Sequence, residues 1–119
     1  MTAFPRLLGA ATLAYSVAVV ANPKVLAVPC TLLDDQGEVP RDVATAVRAV
    51  STRDAIISAA MLVAPAGPAL RTATLVRGLC DVSDAAVFGA VAKDPVARRK
   101  IVAVGVGWGA LCLLSRRWA

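Results

Sequence analysis

Two apolar stretches of this chain carry charges in their interiors, and few folds accept that combination. The stretches cover 43–63 and 68–92, and a transmembrane helix needs about 20 residues. The first holds Arg48, Arg53 and Asp54; the second holds Arg77, Asp81 and Asp84. An ionised side chain at the centre of a bilayer costs at least ~2.5–3.5 kcal/mol on insertion scales, so such groups turn toward a protein interior, pair there and mark a site. A chain of this pattern must hide its charges between helices.

Two more apolar segments, 6–21 and 96–115, flank these. The expectation is an all-α fold, a four-transmembrane-helix bundle. It would be a single membrane domain over residues 1–119 with spans at 6–21, 43–63, 68–92 and 96–115, multi-pass in the cell membrane and in contact with its lipids. Composition agrees. Hydrophobic residues make up 58% and charged residues only 18%, against about 25% in soluble domains, and the mean hydropathy is +0.69. A soluble domain this small leaves much of its surface in water. Alanine and valine dominate the apolar content, which favours thin helices in close contact.

Breaks between the segments follow backbone chemistry. Pro5 suits a first helical turn, and Asn22-Pro23 ends the first helix because proline disfavours helix in the residue before it. Asp42 can N-cap the second helix. Ala64-Pro65-Ala66-Gly67-Pro68 reads as a tight turn with Pro68 opening the third helix, which ends near Lys93, before Asp94-Pro95. The first segment also fits a secretory signal peptide, with Arg6 before an apolar run and cleavage near Ala21; Tyr15 and Ser16 interrupt that run. Residues 22–42 form the one long connection, broken by Pro23, Pro29 and Pro40. It reads equally as a lid over the bundle mouth or as a plain connector.

Lys24, Arg41, Lys93, Arg98, Arg99 and Lys100 would share one membrane face. Arg6, Arg71, Arg116 and Arg117 would share the other, with Trp118 as an interfacial anchor. The positive-inside rule places the first set in the cytoplasm. A net charge of +5 favours anionic headgroups. Histidine is absent, and Cys30, Cys80 and Cys112 are widely spaced, so they read as free structural thiols. No phosphate-cradling glycine motif occurs. No metal, cofactor or nucleic-acid partner is expected. Gly105-x-x-x-Gly109 has the spacing that lets two membrane helices approach closely.

The second and third helices must be antiparallel neighbours, because their connection is short. Counting outward from the turn sets Arg53 level with Cys80, beside Asp81, and Arg48 level with Ala85, beside Asp84. Arg77, Asp81 and Asp84 are spaced i, i+4, i+7 and so share one helical stripe. The candidate site is therefore Asp81, Asp84, Asp54, Arg53 and Arg77. With Arg48 included, the cluster sums to zero charge; Arg48 alone can also snorkel to the interface. One reading is an ion-pair network that only fixes helix register. The other is a functional site, favoured because buried ion pairs stabilise little against their desolvation cost.

Ser51-Thr52-Arg53-Asp54-Ala55, followed by Arg77-Gly78-Leu79-Cys80-Asp81-Val82-Ser83-Asp84-Ala85, resembles an uncharacterised family of small four-helix integral membrane proteins from actinobacteria and fungi. That family carries Arg-Asp in its second span and Arg…Asp-x-x-Asp in its third. The resemblance covers about residues 7–115 and implies a shared membrane site without implying an activity. Three functions are open. One is a cofactor-free membrane-embedded enzyme for epoxide opening, cyclisation or isomerisation of a lipophilic small molecule, since a dry pocket can hold one carboxyl as an acid beside another as a base. The second is a binding or transport subunit. The third is a structural partner, as a homo-oligomer or within a membrane complex, docking through the glycine-rich fourth helix.

Overall fold

In a computed structural model, residues 2–92 and 94–119 are described. The helices are α1 (Ala3–Ala21), α2 (Lys24–Ala27), α3 (Arg41–Val63), α4 (Pro68–Val91) and α5 (Pro95–Ser115), closed by a 3₁₀ turn over Arg116–Trp118. No strand occurs among the described residues, so the fold is all-α. Lys93, where the sequence suggests that the third helix ends, lies outside the described residues. Among the described residues one helix, α1, is long and apolar enough to cross a membrane. Helices α3, α4 and α5 reach 23, 24 and 21 residues and carry the charges already named.

The breaks fall where proline and glycine dictate. Gly67 adopts φ 106° at the N-cap of α4, a left-handed conformation that a residue with a Cβ resists. The Asp94 carboxylate caps α5 by accepting from the Val96 backbone N–H. Asp42 does not cap α3, which begins one residue earlier at Arg41. Its carboxylate accepts from the Val43 backbone N–H inside the first turn, where negative charge still favours the positive end of the helix dipole. The connection after α1 is folded. It forms α2, then a turn in which Asp34 Oδ1 accepts from the backbone N–H groups of Gln36 and Glu38, tied back by Lys24–Glu38 at 3.4 Å.

Helix α1 packs along α3, and α5 packs along α4. The two pairs meet chiefly where α3 crosses α4, while α1 and α5 barely touch. A cleft is left between α1 and α5. Gly105 and Gly109 both turn toward α4. A Cβ at Gly105 would sit 2.6 Å from Ala85 Cβ, and one at Gly109 would sit 3.0 Å from the Gly78 carbonyl oxygen. The close approach allowed by that spacing is therefore made within the chain, and this face of α5 is not free for docking. Gly109→Val should force α5 off α4 and cost about 1–3 kcal/mol, as overpacking does. Thermal unfolding measures this, and an unchanged midpoint would refute the tight α4–α5 seam.

Each pair of helices closes its own ends with arginine. Arg6 of α1 donates to the Met61, Leu62 and Ala64 carbonyls at the end of α3. Arg48 of α3 donates to the Val20 carbonyl at the end of α1, at 3.1 Å. Arg98 of α5 donates to the Gly89 and Ala92 carbonyls at the end of α4, at 2.9 and 2.7 Å. Arg71 of α4 donates to the Ala119 carbonyl beyond α5. The last carbonyls of a helix lack intrahelical donors and carry its negative dipole end, so a guanidinium satisfies both demands. The Phe4 and Trp118 rings stack edge to face at 5.7 Å. Both chain ends thus lie at the same end of the bundle as the α3–α4 turn.

Candidate functional site

Arg77 is the largest fully buried side chain described, and the site is built around it. One helical turn separates it from Asp81, near enough for a two-pronged pair. Arg77 Nε donates to Asp81 Oδ2 at 3.2 Å, and Nη2 donates to Oδ1. The third nitrogen, Nη1, lies 2.9 Å from Asp54 Oδ1 on α3. That contact is an ion pair off the axis of the N–H bonds, so Nη1 makes no hydrogen bond to a described group. Arg53 completes the chain. It donates to Asp54 Oδ1 through Nε at 3.0 Å and Nη2 at 2.7 Å, and Nη2 also donates to Asp84 Oδ2 at 2.8 Å.

The result is an alternating string, Asp81–Arg77–Asp54–Arg53–Asp84, that crosses from α4 to α3 and back. It brings together all five candidate residues. Their exposure is graded: the Arg77 side chain is 1% exposed, Asp81 13%, Asp54 16%, Asp84 23% and Arg53 39%. The string is thus driest at Arg77, next to its Asp81 end, and most open at Arg53, next to its Asp84 end.

Two details of the pairing differ from the depth count. Arg48 does not reach Asp84. It is exposed and spends its guanidinium on the end of α1. Arg53 takes Asp84 in its place. Side chains of a helix lean toward its N-terminus, and the N-terminus of α3 lies away from the turn, so Arg53 reaches past Asp81 to the next carboxylate. Without Arg48 the cluster is not neutral. Three carboxylates face two guanidinium groups, and one negative charge is left over when all are ionised.

A cleft of about 530 Å³ opens beside the cluster, within the size range of small-molecule sites. Asp54, Asp81 and Asp84 all line it, and Val50, Phe88, Val104 and Trp108 provide apolar wall. Trp108 is fixed across the cleft, its Nε1–H donating to Thr12 Oγ1 on α1 at 2.9 Å. The Cys112 thiol reaches toward Asp81 Oδ2 at 4.0 Å. Cys30 and Lys100 line the cleft toward the α2 side. Burial pushes the Cys30 thiol up, so it stays protonated at neutral pH and is a poor nucleophile. All three cysteines are free. No grouping of acidic and sulfur ligands among the described residues could hold a metal ion.

Sequence reasoning missed Trp108, Cys112 and Lys100, which come from α5. Their only local signal is polarity or size within an apolar helix, and Trp108 meets its partner Thr12 on α1, a helix that the chain order does not make adjacent. Comparison with protein-family models, with curated proteins and with solved structures finds no match to this chain.

Proposed function

We propose that this chain is a four-span membrane protein and a cofactor-free enzyme that opens, cyclises or isomerises a lipophilic small molecule. The observation that carries this reading is that all three carboxylates of the arginine-held string line one largely apolar cleft. The leftover negative charge supplies the chemistry. In a low-dielectric site such a charge is neutralised most simply by a proton, held by the cluster as a unit. A carboxyl bearing that proton can donate it to an epoxide oxygen or an alkene carbon of the substrate. A neighbouring carboxylate then removes a proton, either from a water that bonds to the opened epoxide carbon or from the carbon beside the cation, whose C–H electrons form the new double bond. The cluster regains what it gave, so no cofactor is consumed.

The membrane setting is supported by the outer faces of the helices. Leu7 is 66% exposed, Ile56 66%, Val63 80% and Val87 58%. Soluble monomers rarely leave broad apolar surfaces open to water. The charges in the middle of α3 and α4, Arg53, Asp54, Arg77, Asp81 and Asp84, meet counter-charges between helices, as lipid would require. The resemblance of the Arg53-Asp54 and Arg77…Asp81-x-x-Asp84 motifs to a family of small membrane proteins points the same way.

Lipid extracts from cells expressing the wild-type chain, and from cells expressing the Asp81→Asn, Asp84→Asn double variant, test the reading by mass spectrometry. The expected difference is a compound converted to an isomer, or to its one-water adduct, in the wild type alone. Identical extracts, with both proteins present in the membrane, would overturn the enzymatic assignment and leave the cluster to binding or transport.

A further inference from the structure

We propose that the cleft takes a single-chain amphiphile with an anionic head, seated with the head on Lys100 and its uncharged end between Asp81 and Trp108. This rests on the reading of the cleft as the ligand site and adds the class and direction of its occupant.

The inference begins with the three consecutive cations of α5. Arg98 is spent on the carbonyls that end α4. Lys100 lines the cleft and has no ion-pair partner among the described residues. The cleft is therefore polar in the electrical sense. One end holds an uncommitted ammonium; the other holds three carboxylates against two guanidinium groups. An anion is drawn to the first end, while the second, neutral once the cluster holds its proton, offers it no cation to spare, so a charged head and a neutral tail sit in one direction. A cationic head would be repelled by Lys100 at that end.

Length follows from helix geometry. The close contacts of Gly105 with Ala85, and of Gly109 with Gly78 and Asp81, set the register of α5 on α4 and bring Trp108 level with Asp81. Lys100 and Trp108 are then roughly 12 Å apart at 1.5 Å per residue. The group that meets the carboxylates is thus a medium chain length away from the head. In a bilayer the same geometry leaves the head near the interface and brings the chain to the cluster. The reacting atoms are those of the hydrocarbon part, and the head only holds the molecule.

Trp108 reports on this directly. The protein has two tryptophans, and Trp118→Phe leaves Trp108 as the sole emitter. The protein in zwitterionic vesicles is titrated with ω-bromododecanoate, ω-bromododecanol and ω-bromododecyltrimethylammonium, and quenching of Trp108 by the bromine is followed. The acid should bind about two- to fivefold more tightly than the alcohol, as one ion pair with the exposed Lys100 supplies, and the ammonium compound should bind most weakly. Lys100→Gln should make acid and alcohol equal, Lys100→Arg should keep the preference, and Lys24→Gln, outside the cleft, should leave it unchanged. Equal binding of acid and alcohol by the wild type, or a preference that survives Lys100→Gln, overturns the assignment of Lys100 while leaving the cleft as a lipophile site. Failure of all three compounds to quench Trp108 overturns both that site and its orientation.

Discussion

Asp81→Asn and Asp84→Asn should each abolish the proposed activity while the protein still folds. Asparagine keeps the volume and part of the hydrogen bonding but cannot carry the proton on which the proposed chemistry depends. General acid–base catalysis contributes about 10²–10⁴-fold in rate, and a loss of that size is expected in the conversion measured on lipid extracts. Each change also strips a guanidinium of a counter-ion. Arg77 loses its two-pronged partner, and Arg53 keeps only Asp54. Stability is therefore measured beside activity. The double variant Asp81→Asn, Arg77→Gln separates the two effects. If the cluster is catalytic, the double variant folds and stays inactive. A double variant with full cellular function would reduce the cluster to a device that fixes helix register.

The largest loss of stability should come from Arg77→Leu. Arg77 is fully buried, and removing it leaves Asp81 without a cation and Asp54 with only the partly exposed Arg53. Breaking a buried pair by deleting one partner costs about 3–5 kcal/mol, a large share of the roughly 5–15 kcal/mol that holds a typical domain. Arg77→Leu combined with Asp81→Leu should recover most of it, because apolar residues that replace both members of a buried pair are often neutral or better. Unfolding in mixed detergent micelles, followed by helical circular dichroism, measures the three proteins side by side. A single variant as stable as the wild type would mean that Arg77 is not held inside the bundle.

The architecture was legible where backbone chemistry is local. Asn22-Pro23, the Ala64–Pro68 turn and Asp94-Pro95 end and begin helices within a residue or two of the expected places. The stripe of Arg77, Asp81 and Asp84 was legible because it needs only a helical period. The partners of those residues were harder to read. A count of depth along two antiparallel helices gives the level of a Cα but not the lean of a side chain, so Arg53 was assigned to Asp81 and in fact takes Asp84. Arg6, Arg71 and Arg98 illustrate a second limit. Counted as loop and interface charges, they serve to indicate orientation; in three dimensions each meets the end of a neighbouring helix. Nothing in their own sequence context distinguishes the two uses. The contribution of α5 to the cleft depends on how two helix pairs are set against each other, which no local pattern records.

The two ion pairs that cross from α3 to α4 bear on how the chain is made. Synthesis delivers α3 before α4. Alone, α3 would bring Arg53 and Asp54 toward hydrocarbon with only each other for company, and α4 would bring two carboxylates with one arginine. Once Arg53 meets Asp84 and Arg77 meets Asp54, the charges of both helices are shared out. The short turn at Ala64–Gly67 keeps the two within reach as soon as both have emerged. In the membrane reading, α3 and α4 therefore enter the bilayer as one hairpin and not in turn. Helix α1, which needs no such partner, can enter ahead of them, and a nascent chain halted at Val63 should be left at the surface with α1 alone inserted.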